Sequence, residues 1–140
     1  MSRSGYMDSD YFDSHWELEQ YRGRVANTIK GKRSQKFIKD LISALDILPE
    51  KKLISNALES SGQFCAIGSV GRARGIQMSE INPEDCDSIA KIFDISPTLA
   101  REISYENDET GSVNPENRWL RMRAWAVRNL KIKEIAMKAR

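Results

Sequence analysis

A chain of 140 residues, 40% hydrophobic and 30% charged, has enough apolar material for one buried core. Its apolar runs fall far short of the roughly 20 residues a bilayer-spanning helix needs, and its opening residues lack the apolar stretch of a secretory leader, so a cytoplasmic protein is expected. The net charge of +2 conceals segregation: residues 1–21, 22–39, 79–109 and 118–140 carry −4, +7, −7 and +7. Such blocks either neutralise one another within the fold or face charged partners.

Residues 1–9 are polar and small and are expected to form a flexible N-terminus, with 10–140 as a single domain. Ser14 and Glu17 have the spacing of a capping box ahead of the apolar series Leu18, Tyr21, Val25 and Thr28 or Ile29, which predicts a helix stopped at Gly31. A second helix is predicted from near Ser34. Its apolar stripe is Phe37, Leu41, Leu45 and Leu48 flanked by Ile38 and Ile42, and Pro49 ends it.

Leu53–Gly75 is where helical periodicity stops. Ser60-Ser61-Gly62 is a turn signal and GQFCAIGSVG is rich in strand formers, so a hairpin is predicted, Leu53–Leu58 against Phe64–Val70. Gly68 and Gly71 then ease a tight exit into a basic loop, Arg72-Ala73-Arg74-Gly75. Helices must cover such a hairpin, because two strands alone are marginal in water. Beyond it, Asn82-Pro83-Glu84-Asp85, Ser96-Pro97 and Asn114-Pro115-Glu116 each read as a capped helix start with proline at the first position. Asn107–Val113 reads as a loop. The expected fold is α+β, mostly α, with about five helices packed around one β-hairpin.

Four constellations invite chemistry. Asp85–Ile103 has the apolar spacing of a helix-turn-helix, but its surroundings are acidic, Asp94 stands where that motif usually has glycine, and Arg101 is the one base on the would-be reading helix. In the last helix, Trp119, Met122, Ala126, Leu130 and Met137 form a stripe that leaves Trp125 pointing away, between Arg121 and Arg128 and two turns beyond Arg118. An indole among guanidiniums can stack on a base or anchor a partner surface. Lys30, Lys32 and Arg33 centre a basic run over Arg22–Lys39 that lacks the glycine spacing of a Walker A loop. Gly68-Ser-Val-Gly71-Arg-Ala-Arg-Gly75 could cradle an anion, but Ser69 lacks an evident base to activate it. Cys65 and Cys86, the only cysteines, with His15 the only histidine, fall short of a four-ligand zinc site; buried thiols are expected, and a disulfide between them is left open. No catalytic residue, metal or cofactor is assigned, and an enzyme is not expected.

The stretches Arg3-Ser4-Gly5-Tyr6, Lys30-Gly31-Lys32-Arg33, LESSGQFCAIGSVGRARG, Tyr105-Glu106-Asn107-Asp108-Glu109, and Arg118-Trp119 with Arg123-Ala124-Trp125 together resemble short proteins encoded in phages and prophages of proteobacteria. The resemblance covers most of the chain. It implies an intracellular accessory protein acting in infection or lysogeny. By analogy with small phage proteins that bind host machinery, the expected function is non-enzymatic binding of a host protein or nucleoprotein complex, such as a CRISPR effector, with no membrane involved. The expected contacts are Lys30, Lys32, Arg33, Arg72, Arg74, Arg121, Trp125 and Arg128. The rival is direct nucleic-acid binding by the same basic surfaces or by the helix-turn-helix-like pair.

Overall fold

The computed structural model describes residues 3–4, 15–111 and 113–130. These form six helices and one two-stranded hairpin: α1 (His15–Ile29), α2 (Lys32–Asp46), β1 (Glu59–Ser60), β2 (Gln63–Phe64), α3 (Ala66–Arg74), α4 (Cys86–Phe93), α5 (Pro97–Asp108) and α6 (Pro115–Asn129). The architecture is α+β and mostly α. Ser14, and with it the capping box of the first helix, lies outside the described residues, as do Gly5, Tyr6 and Met137.

The amphipathic reading of α2 holds. Phe37, Ile38, Leu41 and Leu45 are 1% exposed or less, Leu48 follows at 4%, and Lys36 points to solvent. The helix starts at Lys32, two residues ahead of the predicted start, because Gly31 supplies the extended N-cap backbone and no side chain caps it. α2 packs on α3 and α6, α4 on α5, and α5 on α1 and α3. An edge-to-face contact between Phe37 and Phe93, with ring centroids 6.4 Å apart, ties α2 to α4.

The predicted strands are corrected. The turn at Ser61-Gly62 is real: both residues have positive φ (53° and 77°), as the two-residue hairpin turn requires. Each strand, however, is only two residues long, with Glu59 opposite Phe64 and Ser60 opposite Gln63, and the hairpin lies at the surface. Leu53–Leu58, expected as the first strand, form none, and of the residues expected as the second, Phe64 stays in β2 while Ala66–Val70 form helix α3 instead. Cys65 caps it, its sulfur accepting from the Gly68 amide at 3.3 Å, and Gly75 closes it in the left-handed conformation at φ 71°. Gly68 and Gly71 are one helical turn apart, so their spacing marks a close-packed helix face. A Cβ on Gly68 would lie 1.9 Å from the Leu58 carbonyl oxygen, and one on Gly71 2.5 Å from the Met78 sulfur. Every residue from Ala66 to Gly71 is buried, so the centre of the molecule is this small-residue helix and not the hairpin.

Two helix boundaries also move. Asn82 closes a turn by accepting from the Glu84 amide, and α4 starts later, capped by Asp85 through the Ser88 amide at 3.1 Å. α5 continues through Asn107 and Asp108, residues expected in a loop. The caps at Ser96 and Asn114 are as the sequence predicts. Cys65 and Cys86 are free and buried, which answers the open question of a disulfide. No helix among the described residues is long and apolar enough to cross a membrane.

Candidate functional site

The candidate cations divide by what holds them. Arg74, in the last turn of α3, donates to the Phe93 carbonyl at 2.9 Å and to Asp40 at 3.0 Å, and its guanidinium lies over the Phe37 ring. It fastens α3 to α2 and α4. Arg121 donates to the Thr110 hydroxyl at 3.1 Å and to the Glu106 and Asn107 carbonyls, closing the carboxyl end of α5. Desolvation, with Arg118 nearby, pushes its guanidinium below the ordinary value. Arg33 reaches Asp94 at 3.7 Å, with both side chains well exposed, a pair of little energetic consequence.

Lys30, Lys32, Arg72 and Arg128 are exposed, and among the described residues no carboxylate pairs with them. Three of the four meet at one joint. The buried Gln35 amide donates to the Ile29 carbonyl at 2.7 Å and to the Asn129 carbonyl at 3.0 Å, stitching the ends of α1 and α6 to the first turn of α2. Lys30 follows the first carbonyl, Arg128 precedes the second, and Lys32 opens α2 beside them. The first turn of α2 holds no acid, so Lys32 and Arg33 add their charge to the positive end of the helix.

Arg72 is elsewhere. It lines a cleft of about 170 Å³ with Leu48 and Pro49, beyond the far end of α2. A helix of 15 residues is about 22 Å long, so the structure does not bring Arg72 to the joint.

Trp125 is the main correction. It is 4% exposed, on the inward face of α6 with Met122 and Ala126. Arg118 and Trp125 stand two turns apart on one face of α6, as their spacing predicts, but that face turns inward. Arg118 is also 4% exposed and donates to the Asn107 and Leu53 carbonyls, each at 2.9 Å. Its fork replaces the water that would otherwise satisfy them. Trp119, placed in the buried stripe by the sequence, is only half-buried, and its indole N–H donates to the Leu45 carbonyl at 2.9 Å.

α4 and α5 pack together and are joined by the short turn Asp94-Ile95-Ser96, and half of α5, the would-be reading helix, is buried. Asp94 takes the left-handed turn at φ 57°. α5 packs against α1, α3 and α6, and Leu99, Ala100, Glu102, Ile103, Ser104 and Asn107 are buried. Ser69 is buried and its hydroxyl donates to the Ala66 carbonyl at 2.6 Å, within the first turn of α3. Among the described residues no group of three His, Cys, Asp or Glu side chains converges as a metal ion would require.

Sequence reasoning missed a polar centre. Arg3, 4% exposed, forms a fork with both oxygens of Asp108 at 2.6 and 2.7 Å and reaches the Cys65 sulfur at 3.6 Å. Ser4 is fully buried and donates to Glu109. Asp108 also accepts from the Asn56 amide, and Asn107 bonds to the Ile54 carbonyl and the Ala66 amide, the latter at the start of α3. Two residues of the stretch expected to be loose are thus fixed in the interior. The sign was available: Arg3 is the lone base of residues 1–21, and Tyr105–Glu109 carries three acids.

No protein-family model, curated protein or solved structure matches the chain.

Proposed function

We propose that this protein is a non-enzymatic, cytoplasmic binding protein of the phage accessory type, engaging a host macromolecule through the joint of Lys30, Lys32 and Arg128. The nucleic-acid-handling defence complexes of the host, CRISPR effectors among them, are the proposed class of target. One observation carries the reading: these cations are exposed and lack carboxylate partners among the described residues, while Arg74 and Arg121 are held by their own fold. The resemblance to phage-encoded proteins supports the infection setting. Arg33 adds charge through a weak exposed pair, and Arg74, Arg121 and Trp125 leave the set of proposed contacts because the fold uses them.

The test is affinity capture from infected bacterial cells with the wild-type chain and with Lys30→Glu, Lys32→Glu and Arg128→Glu combined. One partner complex should be recovered by the wild type and lost by the variant at unchanged thermal stability. Capture by both alike would refute the joint as the contact. Direct binding to duplex or single-stranded nucleic acid should be measured alongside, as salt is raised. A log–log slope near −0.9 per phosphate neutralised on duplex DNA would favour the rival reading instead.

A further inference from the structure

The cleft at Arg72 stands apart from the joint, and we propose that it is a binding site for a small aromatic monocarboxylate. It opens between the corner after α2 and the hairpin turn, and its about 170 Å³ suit one small organic molecule. Leu48, Pro49 and the half-buried Phe64 form apolar walls against which a flat ring can lie. Arg72 reaches the cleft from the last turn of α3 with no carboxylate of its own among the described residues. Lys52 also lines the cleft, but its ammonium lies 3.6 Å from both Glu50 and Glu116, so its charge is already shared.

Among the described residues Arg72 is therefore the one cation of the lining that no carboxylate pairs with, and the planar fork of its guanidinium fits the two oxygens of a carboxylate. Glu50, on the same wall, disfavours a dianion and so argues against phosphate. The chemistry this predicts is one flat apolar body with one carboxylate.

Benzoate serves as the probe, with benzamide as its uncharged isostere and inorganic phosphate as the dianion. Amide and guanidinium N–H signals are followed by nuclear magnetic resonance at neutral pH. Benzoate should shift Gln63, Phe64 and the Arg72 Nε–H saturably in the millimolar range while leaving the Arg74 Nε–H in place. Benzamide, phosphate, and benzoate on Arg72→Gln should each bind roughly tenfold more weakly or not at all, the loss of one charge-assisted fork. Lys91→Gln, which removes an exposed charge on α4, should bind benzoate as the wild type does. No saturable benzoate shift, equal binding of benzamide or phosphate, or undiminished binding by Arg72→Gln would each overturn the assignment. Arg72 is exposed, so that variant should fold, and a circular dichroism melt verifies it.

Discussion

Arg3 and Asp108, 105 residues apart, meet as a two-pronged ion pair sealed from solvent, with side-chain exposures of 2% and 3%. Burying two charges is costly, and the pair holds because its remaining hydrogen-bonding capacity is met by Cys65, Asn56 and Asn107. Removing one partner leaves the other charged in a dry site. Arg3→Ala and Asp108→Ala should each lose about 3–5 kcal/mol in urea titration. Arg3→Met with Asp108→Leu should lose clearly less than the two single losses added. If the single variants unfold at the wild-type midpoint, the pair does not hold the amino-terminal segment.

The helix–glycine relation gives a second test. Gly68 faces a backbone oxygen that has nowhere to go, whereas Gly71 faces the flexible end of Met78 first, with the Phe93 ring tip at 3.2 Å beside it. Gly68→Ala should therefore lose about 2–3 kcal/mol or more from overpacking. Gly71→Ala should stay within about 1 kcal/mol, because a better helix former offsets part of the strain. Thermal melts of the two variants order them directly.

That relation also shows what sequence could tell about this fold. The periodicity of α2 and the caps at Ser96 and Asn114 are local signals, and they read correctly. α3 failed because its composition is that of a buried strand: a short apolar run with β-branched residues, where helix and strand cannot be told apart by period. The helix spacing of Gly68 and Gly71 and the stop at Gly75 were the discriminating signs. For the candidate site, the charges of Lys30, Lys32, Arg72 and Arg128 were legible as surface. Which arginines the fold would consume was not, because Arg74–Asp40 and Arg121–Thr110 are contacts between distant segments. Trp125 misled for a related reason. A helix buried over a wide face hides residues flanking its predicted stripe, and Arg118 could go in with it only because it found two carbonyls.

The buried thiol predicts behaviour in alkali. Burial pushes Cys86 above its ordinary value of 9.0, outweighing the favourable field of Arg101. A raised folded-state value means the protonated form is favoured in the fold. The contribution is complete below the unfolded value and fades as pH climbs through the folded one. Stability should therefore decline from about pH 9 upward, more steeply than in Cys86→Ala by at most one proton, about 1.4 kcal/mol per pH unit. Melts of both chains across that range measure the difference, and parallel curves would contradict it.

Asp46 predicts the acid side. Arg123 donates to both its oxygens, at 2.7 and 3.0 Å, and this hydrogen bonding holds its carboxyl below the ordinary value of 3.8. A depressed folded value contributes stability above the unfolded value that is lost as pH falls through the folded one. The pair is exposed, so its effect on stability is small. The clean readout is the carboxyl carbon resonance of Asp46, which should titrate below 3.8 in the wild type and return toward it in Arg123→Ala.

Folding and binding should separate between the two arginine-rich faces of α6. Trp125→Ala empties a buried site and should lose about 3–5 kcal/mol, with any loss of partner capture following from unfolding. Arg128→Glu lies on the exposed side and should change stability by no more than about 0.5 kcal/mol. Trp125→Phe keeps most of the volume and separates the two effects. If the ring acts only in the core, this variant regains capture in step with its melting temperature. If it melts near the wild type and still fails to capture, the indole touches the partner and the inward orientation of that face is not the one that binds.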